Sequence, residues 1–355
     1  MSTPSPEVRA LWVTRWDYRT AADVRAIIER AAASGFNTLF FQVRGQADAY
    51  YASPREPWAA RLTGTLGQYP GWDPLGLAVS LAHEIGLSLQ AWINVYPVWL
   101  GTEPPPHSQP EHPYHVFTAR YGDRWRQWDI NGPMPLSRHY LWASPAHWGV
   151  LEHILAVSRD IVEGYAVDGL HLDYVRYAGR QYSRDPESLA RFQDEQTLTP
   201  ELTWAEWRCR QVSYLVQCLR EEVLKRRPGL TLTAAVWPVA RDRWRWGCSE
   251  GYTDYGQDAP TWLQAGWVDA ALPMLYTGFI KNDEARFVTL VQDWLAQGDK
   301  GSVYPGITAD YDDFSALARR IELTRQAGAK GHAIFSAGLL TRRGYWEALR
   351  QGPYA

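Results

Sequence analysis

The feature that most constrains this chain is a series of eight short runs, rich in apolar, β-branched and aromatic residues, separated by stretches with helical periodicity. "RALWVTRW" is followed by a helical pattern over 21–34, "NTLFFQVR" by one over 74–85, and "LSLQAWINV" by one over 148–163. "VDGLHLDYV", "LTLTAAVW", "VDAALPMLY", "GSVYPGI" and "GHAIFSAG" continue the series, and every run but the fifth leads into an evident helix. The runs are nearly continuous in apolar residues, as parallel strands covered on both faces require. Glycines such as Gly35 and Gly86 at helix ends supply the left-handed stop between elements. Eight β/α units in one series predict an α/β fold of the (β/α)8 TIM-barrel type. A doubly wound open sheet ranks well below it, because "WVTRWDYRT" carries no Gly-rich phosphate loop after the first run.

No Ser/Gly linker, charge block or low-complexity run divides the 355 residues, so one barrel domain is expected over 8–352. Long insertions over 46–72, 97–147, 178–203 and 238–260 follow strands two to five. They therefore lie over the C-terminal face, where enzymes of this fold keep their chemistry. A formal charge of -3 with mixed signs leaves no basic face for nucleic acid. No run approaches the roughly 18 apolar residues of a membrane span. "MSTPSPEVRA" lacks the basic and then apolar pattern of an export signal, so a cytoplasmic chain is expected, the alternative being an extracytoplasmic protein whose leader has been removed. Cys209, Cys218 and Cys248 suit neither a disulfide framework nor a zinc site and read as packing residues. His107, His112, His115 and His139 show no metal-ligand spacing, so no metal and no cofactor is expected. The oligomeric state is not legible.

In a barrel strand alternate side chains point inward, and the last inward residue reaches the mouth. In "LHLDYVRY" that residue is Asp173, placed to act as nucleophile, general base or stabilising charge. Its plainer reading is a loop aspartate paired with Arg176. Asp168, at the opposite end of the same run, reads as structural. Asp17, Arg44 with Gln42 before it, Asn94 and Tyr276 also end strands. Singly each has a local explanation: Asp17 caps the next helix, and Arg44 neutralises Asp48. Jointly they form a ring of hydrogen-bonding groups suited to a neutral, hydroxyl-rich ligand. His171 lies two residues before Asp173 on the same strand face.

With 19 tryptophans and 20 tyrosines the chain has more flat rings than its core needs, and those on insertions, such as Trp58, Trp99 and Trp237, suit stacking on sugars. Glycosidic hydrolysis generally takes a second carboxyl group. The loop "CSEGYTDYGQDAPTW" offers Glu250, Asp254 and Asp258, of which Asp258 reads equally well as the cap of a helix starting at Pro260. Asp310, Asp312 and Asp313 lack the pattern of a calcium loop and read as helix caps. No G-x-S-x-G elbow supports acyl transfer.

Three stretches, "FFQVRGQADAYYASPREPW", "LTGTLGQYPGWDPLGLAVSLAHEIGLSLQAWINVYPV" and "VDGLHLDYVRYAG", resemble the bacterial glycosyl hydrolase-like 10 family of barrel proteins. A fourth, "GQDAPTWLQAGWVDAALPMLY", is similar to the family segment in which a Gln-Asp pair precedes a helix and the sixth strand. This raises Gln257 and Asp258 above Glu250 and Asp254. The resemblance implies glycosidase activity, with amino-sugar polysaccharides of the bacterial envelope among the substrates. It puts Arg44, Asp48, Asn94, His171, Asp173, Asp258 and Tyr276 at the pocket. Many relatives carry a double aspartate where this chain has Asp173 and Tyr174.

The expectation is a glycoside hydrolase with Asp173 and Asp258 as catalytic carboxyls. Its sugar-binding groups are drawn from Asp17, Arg44, Asp48, Asn94, His171, Arg176, Trp237, Gln257 and Tyr276. Direct displacement and attack by a substrate acetamido oxygen both remain open. The alternative is a carbohydrate-binding barrel without catalysis; a hydrolase of sugar N-acetyl groups ranks third, no metal site being evident.

Overall fold

The computed structural model describes residues 7–276, 278–298 and 300–355; most of the N-terminal stretch behind the localisation reading, residues 1–6, lies outside them. The strands are β1 (Val8–Val13), β2 (Thr38–Arg44), β3 (Ser88–Asn94), β4 (Gly169–Asp173), β5 (Thr231–Val236), β6 (Ala270–Pro273), β7 in two pieces (Ser302–Val303 and Gly306–Thr308) and β8 (Gly331–Phe335). All pair in parallel. The sheet runs from the first piece of β7 through β6, β5, β4, β3, β2, β1 and β8 to the second piece of β7. Its two ends thus belong to one interrupted strand, and a parallel bridge between Met274 and Gly306 helps to close the ring. The expected (β/α)8 barrel forms.

The intervening helices are α1 (Ala21–Ala33), α2 (Pro74–Glu84), α3 (Trp148–Gly164), α4 (Trp204–Cys218), α5 (Ala259–Ala265), α6 (Glu284–Leu295), α7 (Phe314–Gln326) and α8 (Ala337–Arg343). Local chemistry sets their starts: Thr20 and Asp23 form a capping box on α1, and Asp73 caps α2 with Pro74 in its first turn. The unit after the fifth strand is the weakest in the sequence for a visible reason. Its helix is split into Gly251–Tyr255 and α5, with Gly256 between them in the left-handed conformation. Among the described residues no helix is long and apolar enough to cross a membrane.

Strand alternation divides the core in two. Ala10, Trp12, Phe40, Trp92, Ala235, Ala270, Leu272 and Ala333 fill the barrel, while Leu11, Val13, Leu39, Phe41, Leu170 and Leu172 pack outward against the helices. A side chain at position 169 would run into the Thr231 backbone, so Gly169 is what lets β4 and β5 approach there. The insertion after β3 folds back on the mouth as a hairpin, Pro97–Gly101 against Ser137–Trp142, with a helix at Pro113–Tyr121 between its arms.

Candidate active site

Asp173 ends β4 in register with Asn94 of β3 and is 8% exposed. One carboxylate oxygen accepts the Tyr174 N–H at 2.7 Å, a bond made possible by Tyr174 taking the left-handed conformation (φ 52°). That conformation costs a bulky residue on the order of 1–2 kcal/mol. Burial pushes the Asp173 pKa up to about 6, with the Arg176 charge, the Tyr174 N–H and the Trp92 indole pulling it the other way. The Trp92 N–H is buried and makes no well-formed hydrogen bond of its own, so it stands as an uncommitted donor beside the carboxyl. A carboxyl poised near pH 6 exchanges protons under ordinary conditions, which suits general acid–base work.

Aromatic rings enclose this carboxyl. The guanidinium of Arg176 lies over the rings of Trp142, Tyr174, Trp237 and Tyr255, 4.7–5.6 Å from their centroids. Tyr140 and Trp142, carried in by the hairpin, meet Tyr174 at centroid distances of 5.5 and 5.3 Å. Across the mouth Tyr276 stacks on Phe335 at 5.4 Å; burial and the nearby Asp173 charge raise its hydroxyl pKa. Tyr276, Arg176 and Trp237 therefore lie near Asp173 at the mouth. Gln257 reaches the same end of the barrel, accepting the Trp237 N–H at 2.6 Å and donating to the Val175 carbonyl.

Other expected site residues have different tasks. His171 is one layer down in the barrel and fully buried, where it accepts from Trp12 Nε1 at 2.9 Å. That leaves Nδ1 as the donor to Thr233 Oγ1, which donates in turn to Gln90 Oε1. Burial drives its pKa to about 3, so it is a neutral core histidine and not a sugar ligand. Arg44 also departs from the expectation. Two residues of β2 face one of β3 between Gln42 and Arg44, and this bulge turns Arg44 to the outer face of the sheet. There it pairs with Glu56, which also contacts His153 of α3 at 2.8 Å, and donates to the carbonyls of Asn94 and Val95. Asn94 is held between Gln42 and the Gly45 carbonyl, and supports the rim from beneath. Asp17 accepts the Thr14 N–H and abuts Gly338 at the start of α8, tying β1 to the end of the barrel.

Asp48 lies in a separate cleft of about 390 Å³ lined by Arg15, Trp16, Arg19, Gln46, Tyr50 and Arg61. Its Oδ1 accepts the N–H groups of Gly45 and Gln46, and burial raises its pKa against the pull of Arg15. Arg15 passes where a side chain on Gly45 would stand and donates to Tyr140 Oη at 2.7 Å, linking this cleft to the rings around Asp173.

The placement of Asp258 corrects the sequence reading. It accepts from Thr261 in the first turn of α5 and lines a 920 Å³ cavity with Cys209, Tyr252, Trp148 and Tyr214, between helices and outside the barrel. Adjacent Gln257 and Asp258 thus have different surroundings, Gln257 with Trp237 and Val175 and Asp258 with Thr261 beside the interhelical cavity. Trp58 packs beside Tyr69 and Trp99 against His112. Sequence reasoning missed Trp92, Arg15, Tyr140 and Trp142. Trp92 was the readable one, two residues before Asn94 on the inward face of β3. The histidines read as lacking ligand spacing also need revision, because ligand atoms of His107, Glu111 and His115 lie within 4.8 Å of one another.

The chain is 26% identical over 286 residues to glycosyl hydrolase DigH of Escherichia coli K12, covering 77% of this chain and 62% of that protein's length. It is 24% identical over 369 residues to glycosyl hydrolase YngK of Bacillus subtilis 168, covering 93% of this chain and 68% of YngK. The glycoside hydrolase domain of PgaB (BpsB) from Bordetella bronchiseptica shares the fold with a TM-score of 0.73 at 17% identity, over 98% of each chain. The glycosyl hydrolase-like 10 model matches residues 7–306, and the chain belongs to that family.

Proposed function

We propose that this protein hydrolyses glycosidic bonds in an amino-sugar glycan of the bacterial-envelope type, with Asp173 as the proton donor to the leaving oxygen. The observation that carries the reading is the buried Asp173 carboxyl, raised to about 6 among aromatic faces at the barrel mouth. Family membership and the names of DigH and YngK as glycosyl hydrolases support it. Among the described residues the charge acting on Asp173 is that of Arg176, and no second carboxylate is prominent there. This favours attack by the substrate's own acetamido oxygen. The C1–O bond breaks as that oxygen closes on C1, and Asp173 passes its proton to the departing oxygen. The Asp173 carboxylate then takes a proton from the water that reopens the ring.

The test is reducing-end release from N-acetylated chito-oligosaccharides, their de-N-acetylated forms and cello-oligosaccharides. Turnover is expected only on the first, with a loss of about 10²–10⁴-fold in Asp173→Asn. Undiminished turnover by Asp173→Asn overturns the role of Asp173, and equal turnover of the de-N-acetylated chains overturns the acetamido route. Binding without product points to a carbohydrate-binding barrel.

A further inference from the structure

We propose that His107, Glu111 and His115, brought together in the insertion after β3, bind one divalent transition-metal ion of zinc-like character that fixes this insertion at the rim of the mouth. The inference is independent of the sugar chemistry. Two imidazoles and a carboxylate are a ligand set suited to such ions, and unsuited to magnesium or calcium, which take oxygen ligands. The ligand atoms already lie within 4.8 Å of one another. A tetrahedral ion with bonds of roughly 2.0–2.2 Å needs ligand separations of about 3.4 Å, so small side-chain movements complete the site. His107 is free to make them, its side chain being 79% exposed.

The surroundings prepare each ligand. His115 Nε2 lies 2.7 Å from the Pro105 carbonyl, which only accepts; the ring therefore carries its proton there and leaves the Nδ1 lone pair open. A metal-bound histidine commonly has such a carbonyl behind it. Glu111 Oε1 accepts the His112 N–H, which aims the other oxygen at His107 Nδ1, 2.8 Å away. A metal ion entering between His107 and Glu111 replaces the proton they share. The ring centroids of His107 and His115 lie 4.2 Å apart with planes 21° from parallel, so rotation of the exposed His107 ring brings both lone pairs toward one ion.

His112 explains why the three ligands stay in place. It is fully buried, accepts the Tyr114 N–H at Nδ1, and meets the Gln46 carbonyl through Nε2 and the Trp99 ring at 5.3 Å. Both of its nitrogens are used, so it is the peg that seats the segment and not a ligand. Gln46 also lines the Asp48 cleft, so an ion held at this segment stiffens one wall of that cleft.

The experiment is calorimetric titration of the metal-stripped full chain with zinc chloride, repeated on His107→Ala, His115→Ala and Glu111→Gln. One equivalent is expected to bind, with affinity at least about tenfold weaker in either histidine variant. Circular dichroism is expected to be unchanged in His107→Ala, whose side chain is exposed. Limited proteolysis between Gly101 and Pro113 is expected to slow on adding zinc to wild type and not to His107→Ala. No saturable binding, or binding equally strong in all three variants, overturns the proposal.

Discussion

Arg176 stands three residues beyond Asp173 and acts on it through charge without a salt bridge, its guanidinium being held among the faces of Trp142, Tyr174, Trp237 and Tyr255. The rings hold the cation where it moderates the carboxyl without capturing it, which leaves an Asp173 oxygen available to a substrate. Burial raises the Asp173 pKa to about 6 even with Arg176 in place. Removing that charge raises it further.

For Arg176→Met the alkaline fall in kcat/KM, expected near pH 6 in wild type, should move upward by about one pH unit or more. A pH–rate profile on an N-acetylated oligosaccharide checks this. An unmoved limb shows that Asp173 does not set it.

Asp173 should also cost stability, and the sign follows from its raised pKa. Below its ordinary value of 3.8 the group is protonated in both folded and unfolded chains and contributes nothing. Between 3.8 and about 6 the unfolded chain gives up the proton while the folded one keeps it, so stability falls with rising pH. Above that the full cost, on the order of 2–3 kcal/mol, is present. Asp173→Asn should therefore unfold at higher urea than wild type at pH 7.5 and at the same urea at pH 3.5. A variant less stable at both values would mean that the carboxylate is a structural partner.

Much of this was legible beforehand, because the barrel follows from a repeated local pattern. Asp173 and Tyr276 were readable because a strand's alternation fixes which residue comes last on the inward face, and Trp237 only as one of several rings on the insertions. Arg44 was misread because one bulge reverses that parity, and a bulge leaves no mark in the apolar pattern of "FFQVR". His171 obeys the parity but lies one layer too deep, a distinction that depends on strand stagger around the ring. Tyr140 and Trp142 could not be placed, since their contact with Tyr174 depends on how the β3 insertion folds back.

The Arg44–Glu56 pair on the outer face should behave as structure. Burial alone would raise Glu56, but Arg44 and His153 outweigh it and hold the carboxyl at about 2. Its stabilising contribution is therefore fully present above the ordinary value of 4.5 and is lost as pH falls through about 2. Glu56→Gln leaves the Arg44 cation buried without its partner and should destabilise by about 3–5 kcal/mol. Thermal unfolding measures the loss. The folded fraction should keep sugar turnover within a few-fold, and a selective loss of turnover would return Arg44 to the site.

Asp258 gives the sharpest contrast with Asp173, because the resemblance put both at the pocket, where Asp258 was the expected catalytic partner, and the fold separates them. Its carboxylate meets Thr261 at the start of α5 beside the interhelical cavity, whereas Gln257, one residue earlier, holds the Trp237 N–H at the mouth. Asp258→Ala removes one exposed side-chain hydrogen bond from Thr261 and should cost about 1 kcal/mol of stability or less. Its kcat should stay within about threefold of wild type, while Asp173→Asn loses about 10²–10⁴-fold. Gln257→Ala should lie between them, since freeing the Trp237 backbone loosens one ring of the Arg176 enclosure and weakens substrate binding more than the chemical step. Steady-state kinetics on the three variants distinguishes these outcomes: a large fall in kcat for Asp258→Ala, with KM unchanged, would mean that Asp258 enters the reaction after all.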